Sequence, residues 1–157
     1  MLASARFNSK TYAERASFMD SNGLECIYGV PLRIKPTISL NTLLFVVEMN
    51  NEKNQIEGVG LIRNMISETR HRVYADDNYN RYIYEGKYRI TREEMEEYDK
   101  DMVAVLDIIL FKGYTHIKRH SGITIIPQKL LECDRVRGIN LTERMKQLFQ
   151  DLKTRIT

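Results

Sequence analysis

The sequence predicts an α+β domain in which a group of strands is flanked by helices. Strand-like stretches concentrate between residues 24 and 90, helical periodicity is confined to a short N-terminal stretch and to the chain after residue 91, and no βαβ unit repeats. The 157 residues, with 43% hydrophobic and 29% charged and no break in composition, read as one domain over 1–157 with a core of its own.

Residues 9–20 place Tyr12, Ala16 and Met19 on one helical face, with Asn22-Gly23 as the stop. Residues 24–30 read as a strand ended by Pro31, and Pro36 keeps the following link out of a central strand. The apolar run 43–49 (LLFVVEM) and the alternating run 55–64 (QIEGVGLIRN) predict a hairpin across the polar turn 50–54, since glycines at 58 and 60 disfavour helix. A short strand is expected at 71–74. A second hairpin joins 82–84 to 87–90 across Glu85-Gly86, with Gly86 taking the positive φ of a tight turn.

Thr91 and Glu94 have capping-box spacing, so a helix starts there; Met95, Tyr98, Met102, Leu106, Ile109 and Leu110 give its stripe and Gly113 its end. A strand follows within 121–126, then a short helix from Pro127 to Leu131. Asn140 caps a last helix with Glu143 as box partner and Leu141, Met145, Leu148 and Leu152 as its stripe.

The net charge of +3 is too small for a histone-like binder, so any nucleic-acid role must come from local patches. Cys26 and Cys133, without a CxxC, point to a reducing intracellular compartment and away from a disulfide framework or a cysteine zinc site. No apolar run reaches the length of a membrane span, and the N-terminus lacks the apolar region of a secretory signal.

The most informative stretch is 78–92, NYNRYIYEGKYRITR, which interleaves Tyr79, Tyr82, Tyr84 and Tyr88 with Arg81, Lys87, Arg89 and Arg92. Rings stack on bases and cations neutralise phosphates. Against this stands the ordinary role of strand tyrosines in packing, and alternation along a strand sends some of these rings inward. Lys112, His116, Lys118, Arg119 and His120 form a second basic segment, either a phosphate-binding loop or a solvated one. His116 and His120 have metal-ligand spacing, but cationic neighbours and the lack of an HExxH glutamate argue against a metal, and none is expected. No nucleophile, deaminase or paired-carboxylate motif is present, so neither a catalytic residue nor a cofactor is expected.

The segment LLFVVEMNNEKNQIEGVGLIRN resembles the strand, polar turn and strand of PUA-like domains, particularly YTH and EVE modules. That resemblance implies a small twisted β-barrel or sheet flanked by helices, and contact with a nucleic-acid base. YTH readers hold methyladenine in a tryptophan-rich cage, and this chain has no Trp. The order EMNNEKNQIEGVGLIRN, NYNRYIYEGKYRI, LFKGYTHIKRHSGITIIP is similar to an uncharacterised family of large nucleocytoplasmic DNA viruses. It implies a viral protein acting in an infected cell, in the viral factory, host nucleus or virion, and brings no catalytic residue with it.

The leading expectation is therefore a non-enzymatic protein that binds DNA or RNA. Arg81, Lys87, Arg89, Lys118, Arg119 and His120 would serve the phosphates, and Tyr79, Tyr82 and Tyr84 the bases. The competing expectation is a structural or host-interaction protein, such as a virion-packaged homodimer with its tyrosines buried. A nuclease or base-modifying enzyme is a third class, without an identifiable site.

Overall fold

The computed structural model describes residues 1–113 and 117–153; His116 lies outside them. Its elements are β1 (Leu2–Phe7), α1 (Ser9–Asn22), β2 (Cys26–Val30), β3 (Leu43–Asn50), β4 (Gln55–Arg63), β5 (Tyr82–Gly86), β6 (Tyr88–Thr91), α2 (Arg92–Phe111), β7 (Thr124–Ile125), α3 (Gln128–Leu131) and α4 (Leu141–Leu152). The fold is α+β. Five strands form an open sheet in the order β6-β4-β3-β1-β7, and β2 and β5 form a separate two-stranded ribbon. β1 runs parallel to β3, while the other pairs are antiparallel.

Alternation along the strands supplies both faces of the sheet. Phe45, Val47, Met49, Val59 and Ile90 face α2 and α4, packing with Met102, Leu106, Leu110, Met145 and Leu148. On the opposite face Ala3, Ala5, Leu44 and Val46 join Met19 of α1 and Ile27, Tyr28, Ile83 and Tyr84 of the ribbon. Each fully buried large aliphatic or aromatic side chain contributes roughly 1.5–3 kcal/mol, so these two apolar layers carry the fold. Among the described residues no helix is long and apolar enough to cross a membrane.

The β3–β4 hairpin forms as predicted, with Asn54 at φ 52 in its turn and a register shift beside Glu48 and Met49. The capping box of α2 closes in both directions between Thr91 and Glu94, and the Asn140 side chain accepts from the Glu143 amide at 3.1 Å. α1 begins on a cap that the sequence reading missed, because Asn8 and Thr11 cap each other reciprocally.

Four expectations are corrected. Residues 2–7, to which the sequence reading assigned no element, are β1, a strand flanked on both edges; its mostly buried LASARF lacks the polar alternation that marks a half-exposed strand. The supposed hairpin of 82–90 does not exist, because β5 pairs with β2 in the ribbon and β6 with β4 in the sheet. Gly86 takes no positive φ there; a Cβ on it would fall 2.2 Å from the Leu61 carbonyl oxygen, so glycine serves close packing as the chain passes from one sheet to the other. Residues 71–74 are not a strand, since the Val73 and Tyr74 amides donate to the Asn80 side chain at 3.0 and 2.9 Å. Finally, α2 is broken at Asp99 (φ −152, ψ 78), whose carboxylate accepts from the Met102 amide at 3.2 Å and from Arg144 of α4.

Candidate nucleic-acid interface

Glu48 is the one acid inside the apolar run of β3, and alternation turns it away from α2 into the layer under α1. Its cross-strand partner is Gly58, and Gly60 is the next residue on that face of β4. A Cβ on Gly58 would lie 3.0 Å from the Arg89 guanidinium, and one on Gly60 would lie 2.2 Å from the Tyr28 hydroxyl. The two glycines thus leave room for both side chains to reach Glu48. Arg15 of α1 donates to its two oxygens at 2.9 and 2.7 Å, Arg89 donates through Nη2 at 2.7 Å and through Nε, and Tyr28 donates at 2.6 Å.

Arg15 and Glu48 are fully buried and the Arg89 side chain is 11% exposed. Burial by itself would raise the Glu48 carboxyl, but Arg15 and Arg89 outweigh it and hold the group well below the usual carboxylate range. Burial works against the charge on both arginines as well, and the Glu48 carboxylate outweighs it, holding both above the ordinary guanidinium value. Two cations facing one anion leave a net positive charge in the interior. Aromatic faces share it, with the Arg15 guanidinium 4.6 Å from the Phe7 ring centroid and 5.2 Å from that of Tyr28. Arg15 Nε has no partner.

A cleft of about 230 Å³ opens where β1 ends and α1 begins. Phe7, Tyr28 and Tyr74 line it from the side of the cluster, with Arg6, Thr11 and Ser121 among its polar residues. Tyr79 reaches it because the 3-10 turn of Asp77–Asn80 lies directly on β2: a Cβ on Gly29 would be 2.5 Å from the Tyr79 carbonyl oxygen. The basic loop docks on the other side. Arg6 donates to the Arg119 carbonyl at 3.3 Å and to Ser121 Oγ at 3.0 Å, Asn51 donates to the Lys118 carbonyl at 2.9 Å, and the Lys118 ammonium donates to Asn54 at 2.5 Å.

The structure therefore divides the predicted residues. Tyr79, Arg81 and Tyr82 stand at the cleft end of the ribbon, where Tyr82 pairs with Val30 and the next residue, Pro31, lines the cleft. Lys118, Arg119 and His120 lie on the loop across the cleft, with Arg119 and His120 exposed. The Tyr82 ring is flanked by two exposed guanidiniums, Arg33 at 5.0 Å and Arg81 at 5.8 Å, so it organises cations instead of awaiting a base. Lys87 is exposed at the opposite end of the ribbon, next to the Cys26–Gly86 pair.

Two residues must be withdrawn from the contact set. Arg89 is held by Glu48, and its Nη2 also donates to the Tyr12 hydroxyl at 3.1 Å. Tyr84 is 1% exposed and its hydroxyl accepts from the Ile34 amide at 3.1 Å. Sequence reasoning missed Arg6, Arg33 and the whole Arg15–Glu48 cluster. One signal was present: a lone glutamate in an apolar strand demands a cationic partner, and glycines on the return strand mark the space for it. Among the described residues no group of His, Cys, Asp and Glu is arranged to hold a metal ion.

No protein-family model, curated protein or solved structure matches the chain.

Proposed function

We propose that the protein binds nucleic acid through the surface around this cleft. The observation that carries the reading is the placing of exposed Arg33 and Arg81 on the Tyr82 ring and of exposed Arg6 with Tyr79 at the cleft, where Arg6 donates to the carbonyl of exposed Arg119. Guanidiniums held by backbone carbonyls and tyrosine faces are prepared for phosphate oxygens. A PUA-like kinship, residence in a virus-infected cell and a non-catalytic role belong to the same proposal. They rest on the sequence resemblances and on the lack of a recognisable catalytic motif.

Fluorescence anisotropy across a salt series tests it. With about four phosphates neutralised, the log–log slope for a single strand should be about −3. Arg33→Glu with Arg81→Glu should abolish binding at low salt. Affinity that ignores salt, or survives the double reversal, overturns the reading.

A second reading has its own observation. Leu40, Leu43 and Met65 are 80%, 44% and 55% exposed, and they are brought together where β3 begins and β4 has ended. Exposed apolar clusters mark protein interfaces, which fits a homodimer or a host or virion partner. Light scattering would show a dimer that Leu40→Glu dissociates.

A further inference from the structure

The cleft differs in character from the basic rim around it. Arg6 is the only charged side chain among the described residues that line it, and no acid does. Tyr79 supplies its half-buried ring, the rings of Phe7, Tyr28 and Tyr74 that complete the lining are almost wholly buried, and Tyr74 and Tyr79 meet edge to face with centroids 6.1 Å apart. Phe7 and Tyr28 are also the faces against which the Arg15 guanidinium lies, so the excess positive charge of the buried cluster sits directly behind the cleft. Its volume of about 230 Å³ is below the roughly 300–1,000 Å³ of pockets that take drug-sized ligands. An anionic group attached to one planar ring matches this chemistry: the ring meets aromatic and amide surface, and the anion meets Arg6, which Ser121 and the Arg119 carbonyl hold in place.

We propose that the cleft takes a single nucleoside phosphate, with the phosphate at Arg6 and the base against Tyr79. The proposal rests on the nucleic-acid reading insofar as that nucleotide belongs to a strand; a free mononucleotide offers the same chemistry. Because a paired base is held within its stack, a one-nucleotide cleft selects unpaired nucleotides and makes the protein a single-strand or strand-end binder.

The test compares a short labelled single strand, its blunt duplex and adenosine monophosphate as competitor, using the full chain. The expected result is that the single strand binds at least about tenfold more tightly than the duplex and is displaced by the mononucleotide. Arg6→Gln, which removes the cation, and Ser121→Trp, which fills the mouth, should each weaken single-strand binding about tenfold, and Ser121→Trp should do so while leaving the residual duplex affinity in place. Amide shifts at Arg6 and Thr11 in the unaltered protein on adding the mononucleotide report occupancy without relying on either variant.

Single-strand binding that both variants leave unchanged, with no amide shifts, overturns the cleft and leaves the rim surface standing. Mononucleotide binding that is lost in Arg6→Gln, with no strand bound at low salt, upholds the cleft for a free nucleotide and overturns the proposed function. Neither ligand binding overturns both.

Discussion

Glu48→Gln changes one atom and removes the only anion that, among the described residues, pairs with two interior guanidiniums. Both carboxylate oxygens accept in the native cluster, from Arg15 at 2.9 and 2.7 Å, from Arg89 Nη2 at 2.7 Å and from Tyr28 at 2.6 Å. In the variant one oxygen becomes an NH2 group that points at donors. Arg15, with no exposed side-chain surface, has no water to turn to, whereas Arg89 retains a small opening. Breaking a buried ion pair from one side costs about 3–5 kcal/mol, a large part of the 5–15 kcal/mol that typically stabilises a domain. For a chain of this length each kcal/mol lowers Tm by roughly 2–4 °C, so the variant should melt about 6–20 °C lower.

The excess of cation over anion adds a second requirement. Arg15→Met leaves Glu48 balanced one to one by Arg89, so it should cost less than Glu48→Gln even though it deletes more atoms. As a control, Asp77→Asn alters a pair with Arg72 that is 3.5 Å apart and about three-quarters exposed on both sides, and should stay within about 0.5 kcal/mol of the parent. Urea and thermal melts give all three values. A Glu48→Gln loss under about 1 kcal/mol, or a larger loss for Arg15→Met, would refute the account of the cluster.

The same packing sets further outcomes. Glu48 titrates far lower in the folded than in the unfolded chain, so its contribution is complete above the unfolded value of about 4.3; stability should fall as pH drops below it, and Glu48→Gln should flatten that acid limb. Burial first, then Glu48, pushes the Cys26 thiol up to about 12, so a thiol reagent at neutral pH should modify only Cys133 in the native protein and both cysteines in denaturant. Gly86→Ala sets a methyl 2.2 Å from the Leu61 carbonyl oxygen and should lose about 1–3 kcal/mol in a urea melt, with a result near zero removing the close-packing role.

What the sequence discloses here is mostly local. Thr91 with Glu94, Asn140 with Glu143, and the apolar runs on either side of the polar turn at Asn50 each carry their structural cause within a few residues, and each was legible. The failures involve partners far apart in the chain. Nothing near residues 2–7 shows that they will lie between residues 43–50 and 124–125, and nothing in YIYEGKYRI shows that its halves join different sheets. The candidate surface was legible in part for the same reason. Tyr79, Arg81, Tyr82 and Arg119 stand out by composition, but Arg89 could be told from Arg81 only by knowing that Glu48 and the space beside Gly58 would be waiting for it.

The placement of β1 also sets an order of events. β1 runs parallel to β3, across more than thirty intervening residues, and among the described residues its other edge is covered by a two-residue strand near position 125. The β3–β4 hairpin closes over a short turn and has far less entropy to lose. Pulsed hydrogen exchange should accordingly find the hairpin amides protected before those of β1. Until the chain has grown past Ile125, one side of β1 remains an open template for strand pairing, so chains cut short before that point should aggregate more readily than residues 1–157 together.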